Sequence, residues 1–108
     1  EGLLFLTGRK KEMLKVGGER VSPKEIEDTI IASRLIHEAA VIGRPDELLY
    51  EVPEAFIVPI DSQTFKLEDL SAFVQERLSP QKQPRYWNIV KGLPKKSSGK
   101  IDKEALKS

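Results

Sequence analysis

The residues best suited to chemistry lie near the end of the chain, in the octapeptide Pro-Lys-Lys-Ser-Ser-Gly-Lys-Ile at positions 94–101. Ser97, Ser98 and Gly99 are small, and Gly99 can adopt backbone angles closed to other residues. Such a loop can come close to a ligand. Lys100 follows with a compact positive charge on a long side chain, which suits phosphate or carboxylate oxygens. The octapeptide alone is equally compatible with a solvated basic turn.

The spacing around Lys100 excludes a P-loop. That motif has a glycine five residues before its Gly-Lys pair, and a serine or threonine after the lysine. Here Pro94 occupies the first of these positions and Ile101 the last. We therefore expect Lys100 to act on a ligand that another surface binds.

The composition fits one small domain over residues 1–108. Lys and Arg number 18 and Asp and Glu 17, a balance that argues against a general nucleic-acid binder. The absence of cysteine excludes disulfides and thiolate metal sites and leaves the redox compartment open. No apolar run approaches membrane-spanning length, and nothing resembles a signal peptide. The chain begins Glu-Gly-Leu-Leu without an initiator methionine, so we expect a piece of a longer polypeptide.

Short apolar segments near the start predict strands at residues 3–6 and 13–16. The second ends at Gly17 and Gly18, which permit a tight turn or a close backbone approach. Residues 20–21 are expected only to lead into the next element.

A helix is predicted to begin after Ser22. This residue is a favourable N-cap, Pro23 suits the first helical position, and Glu25 completes a capping box. The helix should run to about Ser33.

The remaining pattern predicts an α+β fold. In chain order we expect a strand at 39–43, a turn at 45–46, a strand at 52–60, a helix of about eleven residues within 67–78, a strand at 86–90 and a short helix at 102–107. The strand at 52–60 has apolar residues on both faces, so it should be central, with Pro53 and Pro59 near its ends. The expected architecture is a small sheet of short strands with two or three packed helices and a short N-terminal strand pair.

Other residues invite functional interpretations that we do not favour. His37 is the only histidine, so no Ser-His-Asp set can be assigned and a freestanding hydrolase is not expected. Trp87, beside Tyr86, is expected to pack rather than stack on a ligand. The acids near the helix start are interpreted as partners of the helix dipole rather than as a metal site: Glu25, Glu27 and Asp28.

Two motifs at a suitable separation carry a family resemblance. Residues 8–27 read GRKKEMLKVGGERVSPKEIE, and residues 94–101 read PKKSSGKI, with a Val-x-Gly-x-Pro-Asp segment between them at 41–46. Across essentially its whole length the chain resembles the small C-terminal domain of the adenylate-forming superfamily. That superfamily includes acyl-CoA and aryl-CoA synthetases, nonribosomal peptide adenylation domains and luciferases.

The resemblance implies a two-step reaction. A carboxylic acid and ATP, with Mg²⁺, would give an acyl-adenylate and pyrophosphate, and the thiol of CoA would then displace AMP. The chain would be a mobile lid on its own large N-terminal domain, which would hold Mg²⁺ and most of the ATP contacts. No resident metal, nucleic acid or membrane span is expected in this chain, and the resemblance implies a cytoplasmic enzyme. The acid itself cannot be read from the lid.

The resemblance also assigns roles to residues. Lys100 would be the catalytic lysine, and Lys11 would be the hinge residue near 9–12. Contacts with ATP or AMP are implied for Arg9, Lys15, Arg20 and Lys100, and the path of CoA is implied to run along Gly17, Gly18 and Glu19. Without the motif, Lys11, Lys15 and Arg20 would be interpreted as ordinary surface charges.

Three alternatives remain open. The run Lys-Val-Gly-Gly-Glu-Arg-Val at 15–21 resembles acyl-CoA ligases more than nonribosomal peptide or other carrier-protein adenylation domains, which are the first alternative. The second is a non-catalytic ligand-binding or interaction domain with the same fold. The third is a small domain that binds nucleic acid or phosphate through its basic loops. Tyr50 also departs from the family, because many members have glycine before the acid equivalent to Glu51, and this puts the local turn in doubt.

Overall fold

A computed structural model describes residues 13–107 of the chain. The strand predicted at 3–6, Arg9 and the hinge at Lys11 lie outside the described residues. The described elements are β1 (Leu14–Val16), β2 (Glu19–Val21), α1 (Pro23–Ala32), β3 (Ile36–Asp46), β4 (Tyr50–Pro59), α2 (Leu67–Arg77), a 3₁₀ turn (Pro80–Lys82), β5 (Tyr86–Ile89) and α3 (Lys103–Lys107). The predicted α+β class is confirmed. None of the helices between residues 13 and 107 has the length and apolar character needed to cross a membrane.

The sheet is organised around β4. Antiparallel pairing gives the order β2-β1-β4-β3, and β5 runs parallel to β4 on the side away from β3. The prediction of a central strand here is therefore confirmed. Within the described residues β3 pairs only with β4, so its other side is an edge of the sheet.

Helix α1 forms where the capping pattern predicts it. Ser22 Oγ accepts a hydrogen bond from Glu25 N at 3.3 Å, and Ile26 and Ile30 are completely buried one turn apart. Full burial of such a side chain contributes about 1.5–3 kcal/mol. The Glu25 carboxylate contacts Lys82 Nζ at 3.1 Å, so it ties the helix start to the 3₁₀ turn.

Apolar side chains cover both faces of the sheet. The larger cluster lies between the sheet and helices α1 and α2 and includes alternate residues of β3, Ala39 and Val41. Because neighbouring strand residues face opposite sides, Ala40 belongs to a second cluster, with Val58 and Leu93. Partly buried side chains of the C-terminal segment join this second cluster, among them Ile101 and Leu106. The C-terminal segment therefore packs on the face away from α1 and α2.

Strand β3 is longer than predicted, and β4 begins two residues earlier than predicted. The strand expected at 39–43 is the eleven-residue β3, and the turn expected at 45–46 was wrong, because both residues pair with β4. The chain reverses at residues 47–49 instead. Asp46 Oδ2 accepts hydrogen bonds there from Leu48 N at 3.1 Å and Leu49 N at 2.9 Å, so the aspartate caps the turn from the last position of the strand.

Residues 20–21 are not a simple lead-in, because they belong to β2. Strands β1 and β2 form a hairpin whose two turn residues, Gly17 and Gly18, have φ of +59° and +88°. Two-residue hairpin turns favour positive φ, because the twist of such a turn matches the twist of the strands.

The prediction that Pro53 lies near the end of its strand was wrong, because Pro53 is the fourth residue of β4. Its carbonyl oxygen accepts a hydrogen bond from Arg85 N at 2.9 Å. The N and O of one strand residue point to the same side, so the proline nitrogen faces this side as well. There, pairing with β1 has ended at Tyr50 and pairing with β5 begins at Glu54. The missing donor therefore costs the sheet no ladder hydrogen bond.

Candidate functional site

The loop that carries Lys100 is a short hairpin at residues 95–101, closed by an antiparallel bridge between its ends. Lys96 N donates to Lys100 O at 2.7 Å, and Gly99 N donates to Lys96 O at 2.8 Å. Gly99 has a φ of +92°, a conformation that other residues adopt only with strain. The glycine therefore lets the chain turn sharply just before the lysine.

Lys100 projects from this hairpin with an exposed side chain. No residue from 13 to 107 forms an ion pair or a hydrogen bond with its ammonium group. The side chain lines a cleft of about 500 Å³, whose other walls include Met13, Pro23, Gly43, Glu51 and Lys96. An unpaired ammonium group beside a cleft is suited to attract an anionic ligand.

Both ends of the hairpin are fixed by ion pairs. On the first strand of the hairpin, Lys95 Nζ lies 2.7 Å from Glu38 Oε2 of β3. Just after the second, Lys103 Nζ lies 2.8 Å from Glu27 Oε2 of α1. The same Glu27 oxygen accepts a hydrogen bond from Val41 N at 2.8 Å, on the free edge of β3. The hairpin is thus attached to one edge of the sheet.

The hydrogen bond from Lys95 lowers the pKa of Glu38 below its usual range, and the charges of Lys95 and His37 act in the same direction. Partial burial opposes this effect without overcoming it. Glu38 is therefore ionised at neutral pH, and the pair with Lys95 is intact there.

A second group of predicted residues lies at the β1–β2 turn. Gly17 N donates to Leu49 O at 2.9 Å, and a Cβ on Gly17 would lie 3.1 Å from Leu49 Cδ2. At Gly18 a Cβ would meet nothing within 4 Å, so this backbone is open to an approaching ligand. The charged residues around the turn that were predicted to bind nucleotide or CoA are all exposed: Lys15, Glu19 and Arg20.

The structure does not bring this second group to Lys100. None of its five residues lines the cleft. Leu14 and Lys15 point to opposite faces of β1, and Leu14 is the one that reaches the cleft. Glu51 connects the two groups, because its side chain lines the cleft while its Oε1 accepts a hydrogen bond from Lys15 N at 3.0 Å.

Trp87 and His37, for which no functional role was favoured, lie away from the cleft. Trp87 packs against the larger core cluster, as predicted, and His37 is exposed. In the part of the chain from 13 to 107, no group of three His, Cys, Asp or Glu side chains is arranged to hold a metal ion.

The model of a known family matches residues 25–100, which are most of the chain and include Lys100. Its description is "AMP-binding enzyme C-terminal domain". The chain belongs to this family.

Curated relatives of this AMP-binding C-terminal domain include CoA ligases. The 2-succinylbenzoate–CoA ligase of Listeria monocytogenes is 41% identical over 107 residues, which are 99% of this chain and 22% of that protein. The benzoate–CoA ligase of Thauera aromatica is 41% identical over 111 residues, which cover 100% of this chain and 21% of that protein. The 2,3-dihydroxybenzoate-AMP ligase of Bacillus subtilis is 35% identical over 108 residues, 99% of this chain and 20% of that protein. The chain thus spans about a fifth of the length of these relatives.

Solved structures show the same fold. Apo MatB from Rhodopseudomonas palustris superposes with a TM-score of 0.84 at 33% identity, over 91% of this chain and 20% of that one. The anthranilate CoA ligase AuaEII, in complex with anthranoyl-AMP, superposes with a TM-score of 0.82 at 37% identity, over 91% of this chain and 20% of that one. The predicted family and its α+β fold are confirmed.

Sequence reasoning missed the acids that hold the hairpin. Glu27 was interpreted only as a partner of the helix dipole, and Glu38 was not considered. Their partners are 76 and 57 positions away, at Lys103 and Lys95. A possible signal for Glu27 was its place on the same helix face as Ile30 and Pro23, which indicates a side chain near the core rather than in solvent.

Proposed function

We propose that the chain is the C-terminal lid of an AMP-forming acid–CoA ligase. The reaction would couple a carboxylic acid to CoA through an acyl-adenylate, at the expense of ATP. The observation that carries this proposal is the exposed ammonium group of Lys100, which has no partner among residues 13–107. It projects from a hairpin that one ion pair attaches to β3 and another to α1. The CoA ligases among the relatives support the choice of thiol.

In the first step, an oxygen of the substrate carboxylate would attack the α-phosphorus of ATP. The bond from that phosphorus to the bridging oxygen of the β-phosphate breaks, and pyrophosphate leaves. Negative charge shifts over the phosphoryl and carboxylate oxygens during this transfer. Lys100 would stabilise that charge as a positioned cation, and Ser97, Ser98 and Gly99 would let it enter without crowding the nucleotide.

In the second step, the sulfur of CoA would attack the acyl carbon, the thiol would lose its proton, and the bond to AMP would break. The open backbone at Gly18 and its neighbour Gly17 could lie close to the pantetheine arm of CoA. Lys15 and Arg20 would meet nucleotide phosphates, and Glu19 would border the path of CoA. Since this group does not share the Lys100 cleft, the lid would turn about Lys11 between the steps.

The remaining partners would belong to the large N-terminal domain. That domain would bind the acid and most of ATP, with Arg9 near the ribose. Mg²⁺ would enter with ATP and offset phosphate charge. Among residues 13–107, no group of three His, Cys, Asp or Glu side chains could hold it, so its ligands would come from the N-terminal domain and from ATP. We expect a cytoplasmic enzyme.

The first alternative is an acceptor other than CoA. One relative, at 35% identity, is named as an AMP ligase and not as a CoA ligase. The acceptor could therefore be another thiol, such as that of a carrier protein. Assays of the complete enzyme with CoA and with a phosphopantetheinylated carrier protein distinguish the two. A non-catalytic interaction domain is the alternative of a different class, and it predicts no release of pyrophosphate with any carboxylic acid.

The decisive experiment measures the two half-reactions of the complete enzyme separately, with Lys100→Ala. Adenylation, followed as pyrophosphate release, should fall by roughly 10²- to 10³-fold. Thioester formation from a supplied acyl-adenylate should be retained. Lys91→Ala is the matched control, because it removes an exposed lysine that does not line the cleft. Equal loss in both half-reactions would show that the role given to Lys100 is wrong.

A further inference from the structure

Glu27 is the meeting point of three elements near Lys100. Its side chain is only 19% exposed, although it belongs to a helix that also faces solvent. A single oxygen, Oε2, receives both the Lys103 ammonium group and the Val41 amide at 2.8 Å. One carboxylate therefore joins α1, the free edge of β3 and the start of α3.

This contact is close to Lys100 along the chain. Lys103 comes three residues after Lys100. Just before Lys103, Asp102 N donates a hydrogen bond to Pro94 O at 2.8 Å across the base of the hairpin. Holding Lys103 therefore also restrains the base of the hairpin. On the opposite strand of the hairpin, Lys95 forms the second attachment, to Glu38.

The two attachments differ in exposure. The side chains of Glu27 and Lys103 are 19% and 24% exposed, whereas those of Glu38 and Lys95 are 24% and 40% exposed, so the difference lies mainly in the lysines. Ion pairs that are shielded from water are less screened and more restrictive in geometry than exposed ones. Removing the Glu27 carboxylate would also leave the Val41 amide without this acceptor. Glu27 is thus the more restrictive of the two anchors.

The hydrogen bonds at the tip of the hairpin hold its backbone, but they do not hold the tip relative to the rest of the domain. The tip consists of two serines and a glycine in front of a lysine whose side chain has no partner within residues 13–107. Electrostatic stabilisation requires that the charge be held in place before the reaction, and a misplacement of about 1 Å can cost roughly 100-fold in rate. The position of the hairpin relative to β3 and α1 is therefore set at its base.

We infer that Glu27 is a positioning residue for Lys100, acting through Lys103. This inference rests on the proposed role of Lys100 in adenylation. Glu27 also lines the cleft, but its Oε2 is occupied by Lys103 and the Val41 amide, so the role assigned to it is to position Lys100 rather than to bind substrate. Its carboxylate fixes the end of the hairpin from which the Lys100 ammonium group projects.

The test uses half-reaction kinetics of the complete enzyme with Glu27→Gln, Lys103→Met and Lys103→Arg. Glutamine keeps an acceptor for the Val41 amide and loses the charge that holds Lys103, so its backbone effect is small. We expect Glu27→Gln and Lys103→Met each to lower kcat for adenylation by roughly 10- to 100-fold, with thioester formation retained. Lys103→Arg keeps the ion pair and should stay within about threefold of the original rate.

The matched control is Asp28→Asn. It removes a carboxylate from the same helix, one residue away, whose lysine partner is Lys24 and not a residue of the hairpin. Adenylation should not change in this variant.

A double-mutant comparison separates positioning from general stability. In a Lys100→Ala background, Glu27→Gln should cause no further loss of adenylation, because no ammonium group remains to be positioned. A further loss there, or an equal loss in both half-reactions, would overturn the inference and assign Glu27 to stability alone. If Lys100→Ala abolishes adenylation while Glu27→Gln does not alter it, the inference fails and the proposed function stands. If Lys100→Ala has no effect on adenylation, the proposed function itself fails.

Discussion

The carboxylate of Glu51 lies directly over Gly43. A Cβ on Gly43 would be 2.7 Å from Glu51 Oε2 and 2.9 Å from Leu14 Cδ2, both closer than such contacts allow. The absence of a side chain at Gly43 therefore leaves room for Glu51 Oε2, while Glu51 Oε1 accepts the hydrogen bond from Lys15 N of β1. This contact shapes the floor of the Lys100 cleft, which both residues line.

We predict that Gly43→Ala destabilises the 108-residue chain by about 1–2 kcal/mol. The added methyl group would displace Glu51, which loses its bond to Lys15 N, and would press on the buried Leu14. Urea unfolding measures the change in the free energy of unfolding. Gly92→Ala is the matched control, since a Cβ there would meet nothing within 4 Å. Equal stability of the two variants would contradict the contact with Glu51.

Tyr50→Gly should increase the free energy of unfolding by about 0.5–1 kcal/mol. Tyr50 has a φ of +75° and a side chain that is 69% exposed, so it is strained and contributes little burial. Many family members have glycine at the position of Tyr50, which put the local turn in doubt. The turn is nevertheless formed, with the tyrosine in a conformation that glycine adopts easily. Tyr50→Asn should give an intermediate value, because asparagine tolerates this region. Thermal unfolding of the three chains provides the measurement, and a lower stability for Tyr50→Gly would mean that the tyrosine ring makes a net favourable contribution.

The pair of Glu38 and Lys95 should make stability depend on pH in the acid range. Because the pKa of Glu38 is lower in the folded chain than its usual value of about 4.3, the unfolded chain binds a proton first as the pH falls. The stabilisation is therefore fully present above about pH 5 and is lost as the pH falls through the folded pKa. Glu38→Gln should reduce the loss of stability between about pH 5 and pH 3, and Lys95→Met should do the same. Urea unfolding at several pH values tests this, and an unchanged pH slope in both variants would exclude the contribution.

Lys11→Pro should impair thioester formation more than adenylation in the complete enzyme. Proline fixes φ near −65° and so restricts rotation of the backbone at the proposed hinge. Half-reaction assays of the kind used for Lys100 measure both steps, and Lys11→Ala serves as the comparison because it removes the side chain and keeps φ free. A hinge at this position would be contradicted by equal losses in the two half-reactions of Lys11→Pro. Equal effects of proline and alanine would assign the role to the lysine side chain.

Local patterns predicted most of the elements correctly. The serine cap and the proline at its first position located α1, helical spacing located α2, and the apolar run on both faces identified β4 as central. These features depend on residues a few positions apart, so a single sequence reveals them. The errors lie where a distant strand decided the outcome. Considered by themselves, residues 45–46 predict a turn, but they pair with β4. Pro53 is tolerated inside β4 because it lies between the segments of β4 that pair with β1 and with β5.

The candidate site divides in the same way. The sequence alone determined that a lysine follows a small, flexible turn and that two glycines close the β1–β2 hairpin, because both depend on backbone freedom at adjacent residues. Only the tertiary structure decided what holds that lysine in place. The acids Glu27 and Glu38 meet their lysines because the C-terminal segment packs against β3. A contact between residues 76 positions apart has no local signal in the sequence.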